Sequence, residues 1–300
     1  MSDGPGSEAI ISGMPLTRRE VLAGIGALTA LPTFSPAAAA SAALGLRICF
    51  FTDAHVPMPK QGDADPAKTL ACTDRLEAAF KKANSFKPQL FVFGGDNVMA
   101  VDQGNPEAHA DEQLDNWSKA VKESVKVPHV SVIGNHDIWI PEGDKPKDAK
   151  AKAIKAFSMP QRFYRHDQGG WSFFLLDVFH TDKPSGMDKE QFDWLESELK
   201  KTTNPSCLVS HSPFFGPSLQ LDGDPLKGKM ELRKLLLKNP HVKLALGGHQ
   251  HWVDRCELDH MIYLTGGAVS GAWWGGPYQE FDPAFLILDL GAKGEVKAKT

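Results

Sequence analysis

The sequence lacks an excess of charge of either sign. Its 300 residues include 33 Lys and Arg against 37 Asp and Glu, so the formal net charge is −4 at pH 7. A protein that binds nucleic acid or an anionic membrane through its overall field would carry a marked positive excess. We therefore expect no nucleic-acid-binding surface, and a phosphate-bearing ligand must be attracted by a local site.

Cysteine is also scarce. The four cysteines, Cys49, Cys72, Cys207 and Cys256, never stand at the short spacing that a zinc knuckle or a redox motif requires. Cys49 and Cys207 lie within apolar runs that are typical of core strands, which predicts a buried thiol at both positions. The sequence leaves open whether any of the four forms a disulfide.

No apolar run is long enough for an ordinary membrane span. Near the amino terminus, Arg18-Arg19 precede an apolar stretch from Ala23 to Leu31, which is followed by an alanine-rich run that ends near Ala40 and Ser41. This arrangement resembles a twin-arginine signal with its peptidase site. We predict a signal peptide at residues 1–40, a single catalytic domain at residues 41–300 without a membrane span, and export to the periplasm. The alternative is a disordered tail or a retained anchor.

From Leu46 onward, short apolar runs alternate with longer amphipathic ones, which is the pattern of an α/β protein. The pattern predicts helices at Pro66–Phe86, Glu112–Val125 and Asp188–Lys200, and surface loops at Val98–Asp111 and Ile140–Lys152. Strands are predicted at Leu46–Thr52, Leu90–Phe93, His129–Ile133, Trp171–Asp177 and Cys207–Ser210. Further strands, predicted to form a second sheet packed on the first, are Lys243–Leu246, Trp252–Glu257, Met261–Leu264 and Phe285–Leu290.

Clusters of polar residues follow five of these strands directly. In open α/β sheets, ligands bind in the crevice beyond the carboxyl ends of the strands, so the clusters should converge there. They are Asp53-Ala54-His55, Gly94-Gly95-Asp96-Asn97, Gly134-Asn135-His136-Asp137, His211, and Gly247-Gly248-His249-Gln250-His251.

The residue types in these clusters point to metal binding. Carboxylate and amide oxygens together with imidazole nitrogens suit divalent manganese, iron or zinc, and the set contains no thiolate. The glycines allow the sharp turns with which a chain presents a ligand while its backbone passes close by. The identity of the metal is left open, because the same donors accept several ions.

The order of the five clusters resembles the five motifs of the calcineurin-like metallophosphoesterases, over about Asp53 to His251. The resemblance implies an α/β fold of two mixed β-sheets packed face to face and flanked by helices, as a four-layer sandwich. It also implies two divalent metal ions. Purple acid phosphatases, a related branch, carry a tyrosine ligand soon after the Gly-Asp motif and lack the first histidine, so that branch does not fit Asp96-Asn97 and His55.

The same resemblance implies a role for each residue. Asp53, His55 and His251 would bind one ion, Asn135, His211 and His249 the other, and Asp96 would bridge them. A hydroxide between the ions would attack phosphorus in line. His136 would contact the substrate phosphate and protonate the leaving group, and Asp137 would orient the His136 ring.

Weaker signals surround this set. The segment Gly266–Tyr278 contains adjacent tryptophans, Trp273 and Trp274, of which one should be exposed; they would form a lid or stacking wall for the substrate, or simply a packed loop. His180 is a lesser candidate for substrate contact, against a plain surface histidine. Phe214 and Phe215 would line the pocket or pack beneath it. Ordinary surface or packing roles are expected for His109, His129, His166, His241 and His260.

The expected function is hydrolysis of a small-molecule phosphate ester. A phosphodiester is favoured, because apolar and aromatic loops suit a substrate with organic groups on both sides of the phosphate. The alternatives are a phosphomonoesterase or nucleotidase acting at the same site and a metal-binding module without catalysis. The oligomeric state and the natural substrate stay open.

Overall fold

The structure is a computed structural model, and it describes residues 45–56, 66–99, 106–140, 149–180, 185–217, 219 and 227–300. All of them lie in the unit Ala43–Thr300. The predicted signal at residues 1–40 falls outside the described residues and stays a prediction.

The described chain alternates strands and helices in its first two thirds and then runs mainly as strands. The helices are α1 Pro66–Ser85, α2 Glu107–Ser124, α3 Ala151–Ala156, α4 Lys189–Leu199 and α5 Lys229–Leu237. The strands are β1 Leu46–Phe51, β2 Leu90–Phe93, β3 His129–Ser131, β4 Tyr164–Gln168, β5 Trp171–Leu175, β6 Ser206–Val209, β7 Val242–Gly247, β8 Val253–Leu258, β9 Met261–Gly266, β10 Leu286–Leu290 and β11 Val296–Lys299.

The strands form two mixed sheets. The first has the order β11-β10-β1-β2-β3 and the second the order β4-β5-β6-β7-β9-β8. Strands β1, β2 and β3 are parallel to one another, and so are β5, β6, β7 and β9. Two parallel blocks therefore present the carboxyl ends of seven strands.

Alternation along β1 shows how the layers pack. The ring of Phe50 lies against Gly266 of β9 in the second sheet. The next ring, Phe51, stacks on Phe80 of α1 with centroids 4.7 Å apart. Successive side chains of a strand point to opposite faces, so a strand that is apolar at every position is buried on both sides. On the outer side of the second sheet, Trp194 of α4 contacts Phe174 of β5. The four-layer fold expected from the sequence is confirmed.

Several details of the sequence prediction were wrong. The segment Phe285–Leu290 was expected in the second sheet, but β10 pairs antiparallel with β1 of the first. In this register the half-buried Asp289 lies opposite Arg47 of β1, and its carboxylate is 2.5 Å from Nε of Arg47. Helix α2 begins at Glu107, within a predicted loop, and α3 begins at Ala151 within the other one. Strand β4 was missed because its sequence, Tyr-Arg-His-Asp-Gln, has no apolar alternation, and β11 and α5 were missed as well.

The cysteines behave as expected where the sequence made a prediction. Cys49 and Cys207 are buried, and all four thiols are free. Among the described residues, no helix has the length and apolar composition of a membrane span.

Candidate metal centre

The polar clusters meet at the carboxyl ends of the two parallel blocks. Asp53 and His55 follow β1, Asp96 follows β2, and Asn135 opens a single 3-10 turn after β3. The second sheet contributes His211 after β6, and His249 and His251 after β7. The groups of donor atoms within 4.8 Å of one another are Asp53 with His55 and His251, His55 with Asp96 and His136, and Asp96 with His211 and His249.

The backbone at the site is strained. Twelve described residues other than glycine have a positive φ, and five of them are predicted ligands: Asp53, His55, Asp96, His249 and His251. Such conformations cost about 1–3 kcal/mol each and persist only where the surrounding structure enforces them. The concentration of strain in the ligand turns is therefore a mark of a functional site.

Two glycines of the motifs are needed for close approach. A Cβ added at Gly134 would lie 2.1 Å from Oδ1 of Asp96, and one added at Gly248 would lie 2.4 Å from Oδ2 of Asp53. The nearest real contacts of a Cβ are about 3 Å or more, so any side chain at these positions would displace a carboxylate. The glycines thus serve the packing of the turns around the two acids.

The Asp96 carboxylate lies between histidines of both predicted metal sites. Its Oδ2 is 3.7 Å from Nε2 of His55 and 3.1 Å from Nε2 of His211. Oδ1 of Asp53 is also close to three rings, at 3.6 Å from His251 and 3.8 Å from His55 and His211. However, both Asp53 oxygens also accept hydrogen bonds from the backbone N–H of His249, and Oδ2 accepts one from Thr52 Oγ1. Asp96 has more capacity left for a cation.

Backbone carbonyls fix the tautomers of two histidines. Nδ1 of His211 donates to Gly94 O at 2.8 Å, and Nδ1 of His251 donates to Gly271 O at 2.6 Å. With Nδ1 held in this way, Nε2 of each ring faces the site, as in metal-binding histidines whose other nitrogen is held by a carbonyl. Nε2 of His55 lies 3.0 Å from Nε2 of His251.

The pKa values of the site show how strongly these groups interact. Burial lowers the pKa of His55 well below its usual range, so its ring is neutral. For His211, burial acts downward, but the charges of Asp96 and Asp53 outweigh it and raise the pKa to about 9. For Asp96, burial acts upward, and the charge and hydrogen bond of His211 reverse that effect and hold the pKa below its ordinary value. In the absence of metal, a proton on His211 takes part of the place of a cation.

One buried atom of the site lacks the partner that its chemistry requires. Oδ1 of Asn135 is buried without a hydrogen-bond partner among the described residues. An orphaned amide oxygen in the interior is costly unless a cation or another donor satisfies it. Together with the nitrogen and oxygen donors around it, Asn135 Oδ1 makes the site suitable for divalent ions.

His136 and Asp137 occupy different positions in the 3-10 turn. The His136 ring lies 5.0 Å from the ring of His55, and its backbone N–H donates to Oδ1 of Asp96 at 2.8 Å. The Asp137 oxygens accept backbone N–H groups of Asn97, Val98 and Gly134 at 2.8 to 3.1 Å. These contacts make Asp137 a clamp between the turns after β2 and β3. The predicted orientation of the His136 ring by Asp137 stays a prediction.

The buried Asp137 carboxyl also has a shifted pKa. Burial and the nearby charge of Asp96 raise the pKa to about 7, against the hydrogen bonds from Gly134 and Val98. A bound cation would act in the opposite direction and favour the carboxylate.

The sequence predicted a lid, a stacking wall or a packed loop for Gly266–Tyr278, but no motif in it indicated that Val269–Trp274 supports the backbone of the turn after β1. Val269 N–H donates to Thr52 O, and Ser270 donates through both N–H and Oγ to Asp53 O. Nε1 of Trp274 donates to His55 O at 3.1 Å. This segment therefore holds the backbone of the turn after β1, which carries Asp53 and His55. The carbonyl of Gly271 also holds the ring of His251. The run of glycines around it was the one available signal.

The weaker candidates have different outcomes. Trp273 is exposed and its ring lies 4.8 Å from that of His251, whereas Trp274 is half-buried. His180 bonds to Gly186 O through Nε2, and the ring beside the site is that of Phe179, 5.5 Å from both His211 and His249. Phe214 is buried in the core.

Comparison with known proteins agrees with this geometry. A family model described as calcineurin-like phosphoesterase matches residues 46–253. A 3',5'-cyclic-nucleotide phosphodiesterase of Nostoc sp. is 28% identical over 226 residues, which are 74% of this chain and 77% of that protein. The 3',5'-cyclic adenosine monophosphate phosphodiesterase CpdA of Escherichia coli K12 is 31% identical over 131 residues, 43% of this chain and 45% of that protein.

Solved structures share the fold. A dimetal phosphatase from Danio rerio superposes with a TM-score of 0.63 at 14% identity, covering 85% of this chain and 98% of that chain. A purple acid phosphatase from yellow lupin superposes with a TM-score of 0.57 at 16% identity, covering 85% and 51%. At these identities the likeness concerns the fold alone.

Proposed function

Because the chain belongs to the calcineurin-like phosphoesterase family, we propose that it is a phosphodiesterase that works with two divalent metal ions. The family match and the phosphodiesterase-named relatives make it a phosphoric ester hydrolase. The count of two ions and the preference for diesters are the proposed part. The ligands would be Asp53, His55 and His251 for one ion, Asn135, His211 and His249 for the other, and Asp96 for both.

One observation carries the count of two. Oδ2 of Asp96 is within 3.7 Å of a histidine from each predicted set, His55 and His211. A carboxylate in that place can neutralise the repulsion between two cations, and the cations in turn keep it ionised. The orphaned Asn135 Oδ1 supports the second set, which is otherwise built from two histidines.

The chain's own residues supply the rest of the chemistry. When bound, divalent ions supply Lewis-acid polarisation of phosphate oxygens and of the attacking water. His136 lies beside the ligands and is half-buried, so its ring is accessible to a substrate phosphate. As the P–O bond breaks, a protonated His136 would donate its proton to the departing oxygen and balance the charge that develops there. Asp137 keeps the turn in register through its bonds to Gly134 and Asn97.

The relatives suggest the class of diester. Those named above are cyclic-nucleotide phosphodiesterases, and cyclic nucleotides are therefore the first natural substrates to test on this chain. Hydrolysis of a 3',5'-cyclic nucleotide opens one P–O bond and leaves a monoester. A diester-specific site should release that monoester without cleaving it further.

The test is hydrolysis by protein stripped with a chelator and then reloaded with manganese, zinc or iron. Activity on bis-p-nitrophenyl phosphate and cyclic AMP, with much less on p-nitrophenyl phosphate, is the expected result. Preference for the monoester would point to a phosphomonoesterase or nucleotidase. Metal uptake without hydrolysis of any of the three would point to a non-catalytic metal-binding module. Asp53→Asn, which removes a ligand, is the control for contaminating phosphatases.

We also propose export by the twin-arginine route to the periplasm, which rests on Arg18-Arg19, the apolar stretch and the alanine-rich run. Replacing both arginines with lysine keeps the charge and should block export. The measurement is the share of the protein, with or without residues 1–40, in the periplasmic fraction of a twin-arginine-competent host, compared with the same host lacking the translocase. Equal export of wild type and the double-lysine variant would contradict the proposal.

A further inference from the structure

Two aromatic rings form a corner beside the metal centre. The ring centroids of Trp273 and Tyr278 are 5.6 Å apart and their planes are nearly perpendicular, at 85°. Both rings contact His251, at 4.8 Å and 5.3 Å between centroids, and Trp273 also lies 5.9 Å from His55. We call this pair the Trp273–Tyr278 corner.

The corner is held in place by its own loop. Ala272 N–H donates to Gly276 O at 2.9 Å, and Trp274 N–H donates to Ser270 O at 2.7 Å. Tyr278 exchanges two backbone hydrogen bonds with Phe281, both 2.9 Å long. Because the base of the loop is bonded to the ligand turn after β1, the position of the rings is tied to that of the metal ligands.

The two adjacent tryptophans, Trp273 and Trp274, have different positions. Trp274 turns inward and donates from Nε1 to His55 O, so it supports the ligand turn. Trp273 points outward, and 42% of its surface is exposed. Both have a positive φ, 48° and 67°, a region that side chains such as tryptophan seldom adopt. Packing alone would not select a strained backbone that holds a large apolar ring in water at the edge of a metal site.

We propose that the exposed Trp273 ring is a stacking surface for a planar heteroaromatic group of the substrate, such as a nucleobase, with Tyr278 against the edge of that group. This inference rests on the phosphodiesterase function proposed above and adds the substrate class to it. The corner contacts His55 and His251, so a group stacked there belongs to the same molecule as a phosphate at the ligands.

Stacking of this kind predicts a particular specificity. Every nucleobase has a π-face, so stacking tolerates different bases and favours the larger ones. The enzyme should therefore accept cyclic nucleotides of several bases, purines better than pyrimidines, and should work poorly on a cyclic diester that has no base.

The experiment compares wild-type protein with Trp273→Ala, Trp273→Phe and Phe281→Ala, all reloaded with the same metal. Phe281 is the matched control, because it is an exposed ring, 39% accessible, in the same loop. Substrates are cyclic AMP, cyclic CMP and the cyclic phosphate of propane-1,3-diol. We expect Trp273→Ala to raise KM for cyclic AMP by about 5- to 150-fold with little change in kcat, which is the range for loss of one base–aromatic stack. Trp273→Phe should recover most of this, and Phe281→Ala should resemble wild type.

A second readout does not depend on turnover of a nucleotide. AMP and ribose 5-phosphate differ by the base alone, and both can inhibit hydrolysis of bis-p-nitrophenyl phosphate. AMP should be the stronger inhibitor of wild type, and Trp273→Ala should remove that advantage. This comparison also serves if Trp273→Ala unfolds, since equal inhibition of wild type by the two compounds would overturn the inference by itself.

The outcomes separate the inference from the function on which it rests. If wild type hydrolyses the base-free diester as efficiently as cyclic AMP, the proposed phosphodiesterase function stands and the proposed stacking surface is wrong. An equal loss on all three substrates in Trp273→Ala would assign the ring to support of the ligand turn and overturn the inference in the same way. If no diester is hydrolysed with any metal, the proposed function fails and takes the inference with it.

Discussion

Buried carboxylates at strand ends are neutralised in two different ways in this molecule. Asp177, just past β5, is fully buried, and its oxygens lie 2.5 and 2.7 Å from Nζ of Lys150 and 3.4 Å from Nη1 of Arg162. Gln191 closes the arrangement with two hydrogen bonds to the Asp177 backbone. This acid has fixed cations of its own.

Asp53 and Asp96 are buried to the same degree, but in the described part of the chain their ion pairs are with histidine rings. A histidine supplies positive charge only with a proton. Burial lowers the pKa of His55 and keeps its ring neutral, so the proton on His211, whose pKa is raised to about 9, offsets only part of the charge of the two acids. Asp177 is therefore a structural residue whose charge is already neutralised, whereas Asp53 and Asp96 need a cation from outside the chain. We therefore expect a metal at the strand ends that carry Asp53 and Asp96 and none at Asp177, whose charge Lys150 and Arg162 already neutralise.

The largest effect should come from removing the acid between the two histidine sets. Asp96→Asn keeps the shape and loses the charge that offsets two cations, so metal affinity should fall by more than the roughly 10- to 100-fold typical of an outer-shell change, and hydrolysis should fall with it. Metal content after dialysis is the measurement. An Asp96→Asn protein that retains two tightly bound ions would contradict the bridging position. Metal content of Asp53→Asn, measured in the same way, shows whether losing the Asp53 carboxylate lowers metal affinity as much.

A substitution at His136 distinguishes a residue that acts on the substrate from one that only supports metal binding. His136→Asn should keep both ions and lose about 10²- to 10⁴-fold in rate on alkyl phosphodiesters, because no proton reaches the leaving oxygen. The loss should be much smaller on bis-p-nitrophenyl phosphate, since nitrophenolate leaves without a proton. Parallel losses on both substrates, together with missing metal, would instead make His136 a support for the Asn135 turn.

Asp177 should show the opposite behaviour to Asp96. Asp177→Asn leaves Lys150 and Arg162 without their buried partner, at a cost of about 3–5 kcal/mol in the free energy of unfolding. Urea unfolding should show the same loss with and without chelator, and metal content of the folded variant should stay at the wild-type value. Asp193→Asn is the matched control, because its pair with Lys189 is exposed and worth little. A loss of metal in Asp177→Asn would break the contrast between the two regions.

Metal binding should also depend on pH, because a metal competes with a proton on His211. In the metal-free protein the pKa of His211 is raised to about 9, above its usual value of 6.5. This raised pKa stabilises the metal-free fold fully below pH 6.5, and the contribution is lost as pH rises through 9. A metal must displace that proton, so apparent metal affinity should rise by up to about tenfold per pH unit from 6.5 to 9. Titrations with zinc at several pH values measure it, and His211→Asn should flatten the slope.

Much of the site was predictable because its side chains follow apolar strands in recognisable motifs. Asp53, Asp96 and His211 each come directly after a strand, and the carboxyl ends of parallel strands meet. The supports were harder to predict. The carbonyl of Gly271 that orients His251 belongs to the backbone, which every residue has, and so leaves no mark in the sequence.

Parts of the fold could not be predicted from the sequence for a similar reason. A run such as Leu286–Leu290 predicts a buried strand but not its neighbour, because the choice of sheet depends on which edge is open and on pairs such as Arg47 with Asp289. The clamp formed by Asp137 depends on two turns that are distant in sequence, with Asn97 and Gly134 brought together by the parallel pairing of β2 and β3. Sequence motifs predict the candidate ligands, whereas the residues that support them depend on which strands pair in the folded chain.

We propose that seven side chains at the ends of β1, β2, β3, β6 and β7 hold two divalent ions. The most direct test is the number of ions bound per chain, determined by mass spectrometry of the metals and the protein after the chelated protein is reloaded with manganese or zinc and dialysed. We expect two ions per chain in wild type and fewer than two in Asn135→Ala, which removes the orphaned amide oxygen of the second set. A wild-type protein that binds one ion or none, or an Asn135→Ala protein that still binds two with unchanged affinity, would contradict it.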